Sequence, residues 1–225
     1  EYPYWYDFNK AFEMVTGQTL SSFNEEWRRV MNAYYFGYMA QKETIEEIGD
    51  PITLKGFKFV RSVALSPDSS HLAIVGRQHS GMRDDGLYSK RTDSTKHLEE
   101  LHYGRFSSQP TWSPDAHQLV VSEYHRGSHG SLVNDLRLIN IETKETRWLT
   151  HDLRTLYPVF SKNGSGVFFV AHPGETSQIH YQDLTSGKRV RISNFHGDIQ
   201  IKHLNLSPDG GRLSFMIQEE DGSVE

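Results

Sequence analysis

The segment VALSPDSSHLAIV, running from Val63 to Val75, decides the fold, because three later segments copy its layout. They read PTWSPDAHQLVVS from Pro110, YPVFSKNGSGVFFV from Tyr157 and LNLSPDGGRLSFM from Leu204. Anchored on Ser66, Ser113, Ser161 and Ser207, the copies succeed one another at steps of 47, 48 and 46 residues. Independent hairpins have no reason to keep such a step. A fixed period of this size marks a repeat architecture built from one supersecondary unit.

Each copy reads as strand, tight turn, strand. In Ser66-Pro67-Asp68, Ser113-Pro114-Asp115 and Ser207-Pro208-Asp209, proline pre-sets φ for the second turn position, and serine or aspartate can bond nearby backbone amides. The third copy has Asn163-Gly164 in this place, a strong turn dipeptide in its own right. The apolar runs that follow, Leu72–Val75, Leu119–Val121, Val167–Val170 and Leu213–Ile217, are continuous and not alternating. That pattern predicts strands buried on both faces. Two further strands fit into each period. Leu136, Leu138 and Ile141 precede a polar turn at 142–145 and are followed by Trp148-Leu149-Thr150. Ile179, Tyr181 and Leu184 precede a turn at 185–188, with Val190 and Ile192 beyond it. Four strands in about 47 residues make a propeller blade. The predicted fold is therefore mainly β. Residues 49–225 form a partial β-propeller of four-stranded antiparallel blades, three complete and a fourth begun. A short α-helical segment at 1–48 precedes it.

In that segment Phe8, Ala11, Phe12 and Val15 fall on one helix face, and Gly17 stands where a C-terminal cap belongs. Thr19 is placed to cap a second helix. Its apolar face is Leu20, Phe23, Trp27, Val30, Met31 and Tyr34.

Two resemblances follow from these residues. The Ser-Pro-Asp turn, the apolar strand after it and the closing Leu149-Thr150 resemble the WD40-like (PD40) repeats of TolB-type propellers, from about Pro51 onward. The helical string Phe8-Asn9-Lys10-Ala11-Phe12, Thr16-Gly17, Leu20, Phe23 and Glu26-Trp27-Arg28 resembles the C-terminal helices of a gluzincin (peptidase MA-like) metallopeptidase domain. The first implies a non-catalytic segment for protein or ligand binding and scaffolding, in the periplasm or at the bacterial cell envelope. The second implies the tail of an upstream domain, making this the non-catalytic half of a zinc metallopeptidase whose His-Glu-x-x-His lies before Glu1. A prolyl-oligopeptidase-like protein with its hydrolase downstream is a third reading, which the helical segment fits less well.

Composition narrows the chemistry. A net charge of -5 supplies no basic stripe for phosphate neutralisation, so nucleic acid is not expected as a partner. No cysteine is present, which removes disulfides and thiolate catalysis. No apolar run approaches the ~18 residues of a membrane span. The expected partner is a protein or an attached catalytic domain.

Candidate sites are few. No His-Glu-x-x-His occurs, and no cofactor or metal is expected in this segment. In His97-Leu-Glu-Glu-Leu-His102 the histidines are five apart, on a predicted strand where they face opposite sides. The serines of Ser-Pro-Asp read as turn residues and not as nucleophiles, and no Gly-x-Ser-x-Gly elbow occurs. Catalytic residues are therefore not expected. What remains is a rim surface shared by aligned loops of the first two blades. It comprises Arg83 and Asp84 in the run 82–86, and His125, Arg126 and His129 in the loop His125-Arg126-Gly127-Ser128-His129, with no carboxylate partner evident for either histidine.

An open stack of blades exposes a sheet edge, which proteins avoid. The natural polypeptide is therefore expected to extend beyond this segment. Mass spectrometry of the protein from its native source checks this: a mass well above 25.9 kDa is expected. A mass equal to it would show a free-standing open stack.

Overall fold

A computed structural model describes residues 7–43, 45–49, 52, 54–78, 84–93, 98–172, 174, 176–219 and 224. The chain divides into two compact units, Glu1–Thr53 and Leu54–Glu225.

The first unit is helical: α1 (Phe8–Thr16), α2 (Leu20–Met39) and a single turn, α3 (Ile45–Ile48). The Asp7 carboxylate accepts from the Lys10 N–H and the Thr19 hydroxyl from the Ser22 N–H, so each long helix starts on a side-chain cap. Gly17 closes α1 at φ 73°, and its N–H bonds the Glu13 carbonyl at 2.9 Å. That left-handed cap is the role its position predicted. Phe12 and Phe23 meet edge-on at 5.3 Å between the two helices. Much of the apolar face of α2 stays exposed, Trp27 by 52% and Tyr34 by 63%.

The second unit is a stack of antiparallel blades. Blade 1 is β1 (Phe59–Leu65), β2 (His71–Arg77), β3 (Asp85–Arg91) and β4 (Leu98–Phe106). Blade 2 is β5 (Thr111–Trp112), β6 (Gln118–Arg126), β7 (Leu132–Asn140) and β8 (Thr146–Trp148). Blade 3 is β9 (Thr155–Phe160), β10 (Gly166–Ala171), β11 (Gln178–Asp183) and β12 (Arg189–Arg191). Blade 4 is represented by the hairpin of β13 (Gln200–Leu206) and β14 (Leu213–Gln218), with Val224 bridging Gln218. Five residues past the start of β2, β6 and β10, Gly76 faces Gly86, Glu123 faces Asp135 and Ala171 faces Gln178.

The four hairpins share one register. Leu65 faces Leu72, Trp112 faces Leu119, Phe160 faces Val167 and Leu206 faces Leu213. The turn serine sets it. The Ser66 hydroxyl donates to Asp68 Oδ1 at 2.6 Å and accepts the His71 N–H at 2.9 Å. Ser113 does the same with Asp115 and the Gln118 N–H, Ser161 with Asn163 and the Gly166 N–H, and Ser207 with Asp209 and the Arg212 N–H. The fourth residue of each turn is left-handed: Ser69, Ala116, Gly164 and Gly210, at φ between 59° and 78°. Asn163 thus replaces aspartate without loss, because the serine hydroxyl needs only an acceptor two residues on.

Blades pack face to face. Val75, Leu87, Leu101 and Phe106 of blade 1 bury against Trp112, Leu119, Val121 and Ile139 of blade 2. Val120, Leu136 and Leu138, on the other face of blade 2, bury against Phe160, Val167 and Phe169 of blade 3. Val170 and Ile179 then meet Ile201 and Leu204 of blade 4. Burial on both faces therefore holds for β2, β6 and β10. It fails for Leu213–Ile217: β14 is covered on the blade 3 side, and its other face is open, Met216 being 42% exposed. On the free face of blade 1, Leu54 and Phe57 cover Ile74 and Tyr88.

Serine and aspartate in these turns tie stability to pH. The Ser113 hydroxyl, followed by the His117 N–H, holds the Asp115 carboxyl below its usual range. A carboxyl depressed on folding adds stability above its unfolded pKa near 4, and that stability disappears as pH falls through the folded value. Ser113→Ala is expected to lower the unfolding free energy by about 1–2 kcal/mol at pH 7, since the buried hydroxyl bonds two groups. The gap between variant and parent should narrow as the pH drops below about 4 toward the lowered folded pKa of Asp115. Urea melts at pH 7 and pH 3 measure both quantities.

Candidate functional site

The serine turns occupy one end of the blades. At the opposite end, β2 leads to β3 and β6 leads to β7, so the segments around Asp84 and around Gly127 share a rim. Arg83 lies outside the described residues. Asp84 is half-exposed and its Oδ1 accepts from Arg105 Nε at 2.9 Å. Its neighbour Asp85 is already in β3 and almost fully buried. There it gathers two arginines: Arg61 Nε lies 2.8 Å from Oδ2, and Arg77 Nε lies 2.6 Å from Oδ1. Arg77 is the last residue of β2, and Arg61 sits in β1 where the register slips between Val60 and Ser62. The slip lets Arg61 reach a carboxylate two strands away.

On blade 2 the expected loop starts later than the sequence suggested. His125 and Arg126 belong to β6, which stays paired with β7 as far as Arg126 and Leu132. Only Gly127–Ser131 leaves the sheet, so His129 and Arg126 are exposed while His125 is largely covered. The histidine also has a carboxylate partner, contrary to expectation: its Nε2 is 2.7 Å from Oδ2 of the fully buried Asp135. The connection hid this pairing, because it is diagonal: His125 stands opposite Val133 and Asp135 opposite Glu123, a relation visible only once the hairpin register is known.

Asp135 is a junction. Its Oδ1 accepts from the Thr150 hydroxyl at 2.7 Å and the Leu153 N–H at 3.2 Å, and its Oδ2 accepts the Asp152 N–H at 2.6 Å. Thr150 Oγ1 in turn accepts the Leu136 N–H at 2.8 Å. Blade 3 repeats the arrangement with neutral groups. Gln178 Oε1 accepts from the Ser193 hydroxyl and the Phe195 N–H, and Ser193 Oγ accepts the Ile179 N–H. Thr150, part of the closing-strand motif, thus fastens the exit of blade 2 to its own third strand, as Ser193 does in blade 3. Asp152 performs a related task for the rim loop by accepting the Ser128 N–H. Ser128, through its side chain and then its N–H, holds the Asp152 carboxyl below the usual range, with smaller help from His125 and His129.

Toward blade 1, Glu123 lies between His102 Nε2, at 3.1 Å, and Arg137 Nε. The Arg137 guanidinium stacks 3.8 Å from the Trp148 ring centroid, and the His125 ring lies tilted against the same indole with centroids 4.5 Å apart. Gly104 makes this possible: a Cβ there would run into the Glu123 carboxylate. A polar layer consequently continues the apolar contact between blades 1 and 2 out to the rim.

Of the expected site residues, Asp84, His125, Arg126 and His129 fall along this rim, but their side chains join different networks. Sequence reasoning missed Arg61, Arg77, Asp85, Asp135 and Arg137. The acid pair Asp84-Asp85 at the start of an apolar strand was the available signal for a buried carboxylate. Among the described residues no three His, Cys, Asp or Glu side chains converge in a way that could hold a metal. His97 lies outside the described residues, and His102 is engaged with Glu123. The turn serines donate to Asp68, Asp115, Asn163 and Asp209 and each accepts a backbone N–H.

No protein-family model matches this sequence, and no curated protein matches it either. Solved structures do match. TolB from Acinetobacter baumannii is similar over 74% of this chain at 19% identity and a TM-score of 0.57. A TolB from Agrobacterium tumefaciens is similar over 79% at 18% identity and a TM-score of 0.59. A prolyl endopeptidase is similar over 74% at 14% identity and a TM-score of 0.55. The matched regions make up 42%, 69% and 26% of those chains. The matched part of this chain thus corresponds to 42% of the Acinetobacter protein, and the likeness establishes a TolB-like β-propeller fold.

The Asp135 junction predicts a ranked pair of variants. Asp135→Ala leaves two backbone N–H groups, a threonine hydroxyl and His125 without their acceptor, and should cost about 3–5 kcal/mol. Asp135→Asn keeps one carbonyl acceptor, as Gln178 does in blade 3, and should cost less than half as much. Equal urea midpoints for the two variants would contradict the assigned role.

Proposed function

We propose that this segment is a non-catalytic propeller scaffold that binds a protein partner through the charged rim of blades 1 and 2, in a protein of the bacterial cell envelope. The observation that carries this reading is the unequal chemistry of the two ends. At the turn end, the charged side chains of Asp68, Asp115 and Asp209 are engaged with their own turn serines. At the rim end, Arg61, Arg77, Arg105, Arg126 and His129 reach solvent from adjacent blades. Arginine clusters on rigid strands suit partner recognition, because little conformational freedom is lost on binding. TolB-like propellers being common in the envelope is the basis for the location. Among the described residues no helix is long and apolar enough to cross a membrane.

The exposed aromatic face of α2 favours a second reading, in which the helical unit belongs to a metallopeptidase domain and the propeller screens its substrates. The discriminating feature is His-Glu-x-x-His in the sequence preceding Glu1.

A photo-crosslinking residue placed at Arg126, and another at Lys188 near the turn end, test the first reading in native extracts. A product of defined mass from Arg126 and not from Lys188 is expected. Equal products, or none from Arg126, would overturn the rim assignment.

A further inference from the structure

We infer that Arg61 and Arg77 form a preformed binding site for a single carboxylate on an acidic side chain of a partner polypeptide. This deepens the rim reading above and rests on it. The site is built around one buried anion. Both oxygens of Asp85, 3% exposed, are occupied by the Nε atoms of two different arginines. Binding through Nε orients a guanidinium while leaving its two terminal amino groups to other acceptors. Neither the Arg61 nor the Arg77 side chain donates to any other described residue, and these side chains are 43% and 36% exposed. Arg61 is further steadied by the Phe59 ring, 5.7 Å beneath its guanidinium. Two anchored forks with unfilled donors, side by side on paired strands, are an oxyanion receptor.

Charge counting selects the ligand. Arg61 and Arg77 share the single carboxylate of Asp85, which leaves one excess positive charge at the cluster. The chain as a whole carries -5. A monoanion is matched by that single excess charge, whereas a dianion or a polyanion meets the repulsive field of the whole protein. A carboxylate also pairs with a guanidinium in the planar two-bond geometry that arginine presents.

The test uses the full chain and NMR signals of the arginine Nε–H groups, which the Asp85 bonds hold in place. The probe is the tripeptide Ac-Ala-Glu-Ala-NH2, its neutral twin is Ac-Ala-Gln-Ala-NH2, and a third titration uses inorganic phosphate. The glutamate peptide should shift the Arg61 and Arg77 signals saturably, with a dissociation constant on the order of millimolar, and the glutamine peptide should not. Arg61→Gln/Arg77→Gln should weaken glutamate-peptide binding at least tenfold, with an unchanged amide spectrum elsewhere showing that the fold is intact. No shift, or equal shifts with both peptides, would overturn the site. Phosphate binding tighter than the peptide would overturn the carboxylate assignment. Peptide binding that persists when Arg126 yields no crosslink would keep this site while removing the rim reading.

Discussion

A strand buried on both faces has no freedom to slip, since a shift of one residue would exchange its two sets of side chains. β2, β6 and β10 are in this position, and the rest of the stack is assembled on them. What prevents the slip is the turn serine. Its hydroxyl takes the first N–H of the second strand and gives its own proton to the residue two positions on. Two bonds from one short side chain thereby fix where the hairpin starts, before any packing is chosen. The same pair of bonds occurs in all four copies, including the one whose acceptor is Asn163. Faces follow from register, and so does the alternation that sends Val121 toward blade 1 and Val120 toward blade 3.

Register explains the inner contacts of the stack; the outer ends are held by polar groups. Where β8 and β12 finish, a hydroxyl residue, Thr150 or Ser193, ties the departing chain to the third strand of its own blade. Blade 1 lacks this fastening because its fourth strand does not depart. β4 runs on, and Arg105 and Phe106 pair with β6 of the next blade. Gly86 stands in blade 1 where the register would put Asp135 or Gln178, consistent with there being no exit to secure. The continuity of β4 also carries Arg105 to the rim beside Asp84, and lets His102 reach Glu123 across the interface. One uninterrupted strand therefore creates both the join between the first two blades and part of the surface they share.

These features differ in how far the sequence could reveal them. The hairpins, the left-handed cap at Gly17 and the Thr19 cap are local: the residues that cause them are within five positions of one another. Local causes repeat visibly, and the repeat gave the blades. The rim networks are not local. Asp85 binds Arg77 across one strand pair and Arg61 across two, through a register slip that no residue type announces. His125 looked like a loop residue because Gly127 follows it closely, yet the pairing with β7 continues to Arg126. Leu213–Ile217 looked buried on both faces because composition records how apolar a strand is, not whether a neighbour covers it. The helical face of α2 shows the same limit, its amphipathic pattern being clear while the side chains stay exposed.

The two carboxylates buried near the rim indicate where binding capacity is left over. Asp135 accepts from three protein donors besides its contact with His125, so the groups around it are satisfied internally and its work is structural. Asp85 has the opposite balance. It accepts one bond from each of two arginines, and each arginine brings five donors. A buried acceptor with many partners closes a network, whereas a buried acceptor that anchors partners richer than itself opens one toward solvent. Water satisfies the remaining donors in the isolated chain, and water is what an incoming oxyanion replaces. The imbalance is a property of residue types and register together, since lysine at position 61 or 77 would offer no fork to anchor and still leave free. The surplus of donors thus sits on blade 1, while the groups around Asp135 on blade 2 close on one another.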